Sequence, residues 1–271
     1  LFVTGTGTDI GKTYVTGLLV KKLVDAGKKA AYYKAAMSGN ERRADGSLIP
    51  GDACFVKQTS GITQPVEEMC PYVYEHAYSP HLASRIEGNP VEMQEVKAGY
   101  RKVCREYEYV TVEGSGGILC PICFDEARIQ LEDVVKELKL SSILIADAGL
   151  ILLGDRKRHQ TVDGMELHFQ TNFLGHAALI EMVRPSLEQG RVDGRGAVVV
   201  AQSSVAAEVA RIHWGDLQLE HSYSAFRAYA QSKLALTLWA LAQGQQTSKV
   251  DWENGHPRFA IAHPGIAPGT G

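Results

Sequence analysis

Surplus basic charge is missing from this chain. Its 28 Lys and Arg face 31 Asp and Glu, a formal charge of −3. No run of Lys or Arg offers a polyanion a patch, so no nucleic-acid partner is expected. Apolar runs of membrane-spanning length are also missing, and the opening LFVTG reads as a strand rather than a signal peptide, so no membrane partner is expected. Cysteine is scarce. Cys120-Pro-Ile-Cys123 has redox-motif spacing but follows a glycine turn and lacks the second pair that a zinc site needs. Cys54, Cys70, Cys104, Cys120 and Cys123 therefore read as reduced thiols, and the default location is the cytoplasm. Internal repeats and low-complexity linkers are absent. The missing initiator Met and the abrupt stop at Pro268-Gly269-Thr270-Gly271 lead us to expect trimmed ends.

What is present fits one large α/β domain or two small ones: 271 residues, 45% hydrophobic and 22% charged. Composition shifts near residue 150. All five cysteines precede it and all three tryptophans (Trp214, Trp239, Trp252) follow it; Lys outnumbers Arg 11 to 6 before it and Arg outnumbers Lys 8 to 3 after it. Strands and helices alternate. FVT, AAYYKA, YVTVEG and SILIAD read as strands. Helices are expected over Thr13–Ala26, with Val15, Leu18, Leu19 and Leu23 on one face, and at Ala53–Gln58, Val91–Tyr107 and Leu131–Leu138. Asn40–Pro50 reads as a polar surface loop. Beyond the shift come a helix around Asp163–Glu188, the strand AVVVAQ, a helix over Ser224–Gln243 and the strand RFAIAH. This alternation predicts an α/β fold: a doubly wound, mostly parallel sheet with helices on both faces and ligands at the carboxyl ends of its strands.

FVTGTGTDIGKTYV is the sharpest chemical signal. A glycine-rich turn between strand and helix, ending in Gly11-Lys12-Thr13, can cradle phosphate oxygens with backbone N–H groups aligned with the helix dipole. Gly7, Thr8, Asp9, Ile10, Gly11, Lys12 and Thr13 form this candidate site. Lys12 would meet the β/γ-phosphates and the Thr13 hydroxyl would ligate Mg2+. The usual phosphate-loop pattern has glycine where Thr6 stands; here Gly5 comes one residue earlier. Gly5-x-Gly7-x-x-x-Gly11 also resembles a dinucleotide fingerprint, but its spacing is wrong and Lys12 favours a triphosphate.

GTGTDIGKT, YYKAAMSG (Tyr32–Gly39), PGDA (Pro50–Ala53), VEGSGG (Val112–Gly117) and LIADAGL, in this order over residues 1–150, resemble dethiobiotin synthetase. The resemblance implies an ATP- and magnesium-dependent ligase that closes a cyclic urea from 7,8-diaminononanoate and CO2, with a homodimer as the assembly to test. It implies that the diamine is carboxylated, ATP phosphorylates the carbamate, and the second amine displaces phosphate. Such chemistry gathers anions, so cations must stabilise the transferring phosphoryl group; Lys12 and Lys34 are the candidates. An exposed surface lysine is the alternative for Lys34. Ser38 matches the family's substrate-contacting serine, and Glu113 its nucleotide site. Asp52 and Glu113 supply hard oxygen ligands for Mg2+ beside Thr13, although Asp52 could instead cap the following helix.

TVDGMELHFQTNFLGHAAL, VVVAQSS, AYAQSKLAL and AHPG, within residues 151–271, resemble the catalytic half of a short-chain dehydrogenase/reductase, of the retinol-dehydrogenase-like and WW-domain-oxidoreductase-like branch. Asn172, Ser204, Tyr229 and Lys233 fall where that family has its tetrad. Tyr229 and Lys233, at i and i+4, share a helix face, where Lys233 would stabilise tyrosinate for proton transfer. Ser204 would hold the substrate oxygen and Asn172 would support a water-linked proton path. The upstream dinucleotide-binding half is missing, so this alternative, an NAD(P)-dependent oxidoreductase acting on a carbonyl or alcohol, lacks its coenzyme cradle. Ala148-Gly149-Leu150 fits both families. We read the chain as an artificial fusion of two half-domains joined there. Triphosphate binding is expected to outlast turnover, and an inactive fusion is the third reading.

Overall fold

The computed structural model describes residues 1–8, 10–124, 127–189, 196–246 and 249–263. The chain divides into two compact units, Leu1–Asp147 and Ala148–Gly271.

In the first unit, strands β1 (Phe2–Gly5), β2 (Ala30–Lys34), β3 (Tyr109–Gly117) and β4 (Ser142–Ile145) pair in parallel in the order β4-β1-β3-β2. Period-two alternation sends neighbouring residues of β2 to opposite faces. Ala31 and Tyr33 join Phe2 and Val112 in a core closed by Val96 and Val103 of α3 (Met93–Glu106) and by Leu131 and Val134 of α4 (Leu131–Leu138). Ala30 and Tyr32 join a second core with Val20 of α1 (Lys12–Asp25) and Ala53 and Val56 of α2 (Gly51–Ser60). Both faces are therefore covered over β1, β2 and β3, as doubly wound packing requires, while β4 at the edge leaves Leu144 exposed. β2 is an edge strand, and its outward amides find partners off the sheet: Tyr32 N–H donates to Gln64 Oε1 (2.9 Å) and Lys34 N–H to the Met69 carbonyl (2.8 Å).

The buried side of α1 differs from the expected one. Leu18 is exposed, while Lys12, Thr16, Gly17 and Val20 are buried. The reason is α2: a Cβ at Gly17 would stand 3.3 Å from Thr59, so α1 brings Gly17 against that helix, which keeps Leu23 of the expected face on the shared core and leaves Leu18 outside. The Asn40–Pro50 segment is largely exposed but contains a hairpin, Glu41–Arg42 with Leu48–Ile49.

The second unit contains a parallel pair, β5 (Val198–Gln202) and β6 (Arg258–Ala262). Helix α6 (Ala225–Gln245) packs there through Leu236 and Ala240 against Ala201. The helix expected around Asp163–Glu188 is broken into three pieces. A turn of α-helix at Leu167–Phe169 passes into a π-helical turn at Gln170–Leu174 and then into α5 (Gly175–Gln189). No described helix is long and apolar enough to cross a membrane.

Candidate functional site

β1 delivers the chain to the carboxyl end of its sheet, and α1 begins seven residues later at Lys12. Gly11 makes the turn with φ 79°, a left-handed conformation that costs an L-residue roughly 1–2 kcal/mol. No side-chain bond caps α1 and its first turn holds no acid, so the first N–H groups stand at a positive helix end without a side-chain cap. That is the local requirement for holding phosphate oxygens. Lys12 lies beside it, largely buried, its Nζ donating to the Gly7 carbonyl across the turn. Gly7 and Ile10 are half-buried, Thr8 and Gly11 exposed; Asp9, part of the expected site, lies outside the described residues.

Four elements bring charged and hydroxyl groups together below this turn. The last residue of β2, Lys34, pairs in register with Glu113 of β3, which puts both side chains on one face of the sheet. Lys34 Nζ donates to Glu113 Oε1 at 2.9 Å and to Asp52 Oδ2, from the first turn of α2, at 2.6 Å. Thr13 Oγ1, in the first turn of α1, stands 2.7 Å from Glu113 Oε1 and 3.3 Å from Asp52 Oδ1. Lys34 is 5% exposed and Glu113 1%. Burial opposes the lysine's charge, but Glu113 and Asp52 more than offset it, and the ammonium stays above the ordinary lysine range. Lys34 is thus no surface lysine. Asp52 is turned to Lys34 and Thr13, and α2 has no side-chain cap bond, so the helix-capping alternative is not the one realised.

Hard oxygens converge here in the kind of set that suits Mg2+: two carboxylates and a threonine hydroxyl beside the uncapped start of α1. Among the described residues no group of three or more His, Cys, Asp or Glu could hold a metal unaided. Lys34 now bridges the two carboxylates and compensates their charge.

A further residue belongs to this cluster. Tyr32 is fully buried, and its hydroxyl donates to Glu113 Oε2 at 3.0 Å. Burial, then the nearby Glu113 charge, pushes its phenol well above the ordinary range, so it serves as a permanent donor. The sequence held a usable signal, since in a strand residues i and i+2 share a face and Tyr32 stands two before Lys34. Ser38 follows the strand Ala36–Met37 and is half-buried. All five cysteines are free, and burial raises the Cys120 thiol, which works against thiolate chemistry at Cys120-Pro-Ile-Cys123.

In the second unit the four expected tetrad residues have distinct surroundings. Tyr229 and Lys233 share a face of α6, with Lys233 Nζ 6.0 Å from the tyrosine ring centroid and 3.2 Å from the Gln202 carbonyl. Ser204 caps the turn that follows β5, accepting from Ala206 N–H at 3.3 Å. Asn172, fully buried in the π-helical turn, binds both backbone groups of Leu150 (2.8 and 2.9 Å) and Ser232 Oγ (3.0 Å). The structure thus joins Tyr229 to Lys233, while Asn172 ties the Leu150 segment to α6. Pro264-Gly265 lies outside the described residues.

Curated relatives match the first half of the chain. ATP-dependent dethiobiotin synthetase of Brachyspira hyodysenteriae is 50% identical over 151 residues, 55% of this chain and 66% of the relative. The synthetase of Clostridium botulinum strain Loch Maree is 47% identical over 150 residues, again 55% and 66%. The chain therefore spans 66% of the length of these relatives. Among solved structures, a short-chain dehydrogenase from Sphingobium yanoikuyae in complex with NADPH aligns at 14% identity and TM-score 0.38, over 98% of this chain and 70% of that one. The bulky-bulky ketone specific alcohol dehydrogenase from Comamonas testosteroni aligns at 13% and 0.38, over 98% and 72%. Likenesses this slight carry no argument about function. A family model described as an AAA domain matches residues 1–155, and the chain belongs to that family.

Proposed function

We propose that the chain binds ATP with Mg2+ at the β1–α1 turn, and that its first unit is the nucleotide half of a cyclo-ligase of the dethiobiotin synthetase type. Its reaction is closure of a cyclic urea from 7,8-diaminononanoate, CO2 and ATP, in the cytoplasm. The observation that carries this reading is the convergence of Lys34, Asp52, Glu113 and Thr13 beneath the uncapped start of α1. The backbone N–H groups and Lys12 take the phosphate oxygens. Thr13, Asp52 and Glu113 would hold Mg2+, whose charge would offset that of the phosphates. Lys34 would supply positive charge to the oxygens of the phosphoryl group in transfer, and Ser38 would contact the diamine.

The remaining third of the relatives' length has no counterpart in the matched region, so turnover falls below that of a full-length synthetase, even as a homodimer. The test is ADP release that requires both diamine and bicarbonate, in the chain and in Lys34→Met. Weak release abolished by the substitution supports the reading; release independent of the diamine contradicts it.

A second reading has one observation in its favour, the pairing of Tyr229 with Lys233 on α6. It makes the second unit the proton-transfer half of an NAD(P)-dependent oxidoreductase, joined by fusion to the first and without a cradle for the coenzyme. Retention of NADPH by the chain would favour it.

A further inference from the structure

Glu113 Oε1 faces Thr13 and Lys34, at 2.7 and 2.9 Å, and its other oxygen is taken by Tyr32 at 3.0 Å. A carboxylate that is 1% exposed has little water to satisfy a second oxygen, so the phenol is what holds that oxygen in the interior. Tyr32 is itself held. Its ring lies in the core made by Val20, Ala53 and Val56, and its amide is fixed to Gln64 Oε1 at 2.9 Å. With the ring locked and the hydroxyl on Oε2, rotation of the Glu113 carboxylate is blocked, and Oε1 stays directed at the Thr13 hydroxyl.

We propose that Tyr32 is a positioning residue for the metal: by occupying Glu113 Oε2 it presents Glu113 Oε1, together with Thr13 Oγ1, as a preformed pair of Mg2+ ligands. This rests on the nucleotide-site reading above. Partners that orient a metal ligand typically change metal affinity by about 10–100-fold when removed. Metal-free nucleotide, held by the α1 amides and Lys12, should be insensitive to the phenol.

The test is Tyr32→Phe in the full chain, with ATP affinity measured by calorimetry in excess Mg2+ and in EDTA, and folding checked by circular dichroism. We expect Mg-ATP to bind roughly tenfold more weakly while metal-free ATP changes less than about twofold. Equal losses under both conditions would mean a structural role only, and no loss would mean that Glu113 orients itself; either overturns the inference. If the wild-type chain binds ATP no better with Mg2+ than without, the nucleotide-site reading itself fails. Should Tyr32→Phe not fold, Tyr32→Phe with Glu113→Gln removes the stranded charge. Recovery of folding in that double variant would support the coupling, and continued failure would make Tyr32 a packing residue and overturn it.

Discussion

Lys34 is where the stability and the chemistry of the first unit meet. It sits between Asp52 and Glu113, almost out of water, and the pairing was made at the expense of dehydrating two charges, its own and that of Glu113, while Asp52 stays partly exposed. Taking away the ammonium leaves a buried carboxylate uncompensated, a change that typically destabilises by about 3–5 kcal/mol. Lys34→Met is therefore expected to lower the unfolding free energy of the first unit by about 3 kcal/mol in metal-free urea titrations. The pH dependence follows from the raised lysine. A group that holds its proton more tightly when folded stabilises fully below its unfolded value, here 10.5, and loses that contribution as pH climbs beyond it. Wild type should thus be level through neutral pH and weaken above about 10.5, with Lys34→Met lacking that added alkaline loss. An alkaline slope equal in both proteins would show that the pair contributes nothing.

At the scale of elements, function lies in how the β1–α1 turn is closed. Gly11 holds φ 79° at the helix entrance. Gly11→Ala should cost about 1 kcal/mol in stability and reduce ATP affinity more than that, since the first amides of α1 shift with the turn; unchanged affinity would separate the turn from the binding site. In the second unit, Asn172→Ala strands the N–H and carbonyl of Leu150 and should destabilise by about 2 kcal/mol or more, read by thermal unfolding.

Much of the first unit was legible because its four sheet strands are short apolar runs and its phosphate turn is punctuated by glycine. The same reading missed elements whose cause lies elsewhere in the chain. Ala36–Met37 becomes a strand only by pairing with Tyr72–Val73, and no local pattern announces that. The helix at Pro80–Ile86 did have a local sign, Ser79 followed by proline at its first turn, and it was overlooked. The buried side of α1 depended on Gly17 meeting Thr59, a contact that hydrophobic spacing does not encode. In the site, Lys12, Thr13, Lys34, Asp52 and Glu113 were all named from sequence. Tyr32 was not, because a tyrosine in an apolar strand reads as core until its hydroxyl partner is known.

At the scale of the molecule, the two units differ in what they offer a nucleotide. The first has an uncapped helix start beside lysines and carboxylates; the second has its four tetrad residues in the surroundings described above. A ligand that binds only the native first unit stabilises that unit alone, by about 2.7 kcal/mol at a hundredfold excess over Kd. For a unit of this size that is a rise of several degrees, at about 2–4 °C per kcal/mol. Thermal scans should show one transition moved by Mg-ATP, and neither moved by NADPH. A shift with NADPH would transfer the activity to Tyr229 and Lys233.

The most direct test is calorimetric titration of the full chain with Mg-ATP, beside the Lys12→Ala variant. The account predicts one nucleotide bound per chain and a loss of at least about tenfold in affinity when the lysine that spans the turn is removed. No measurable binding by the wild-type chain, or equal binding by both proteins, would contradict it.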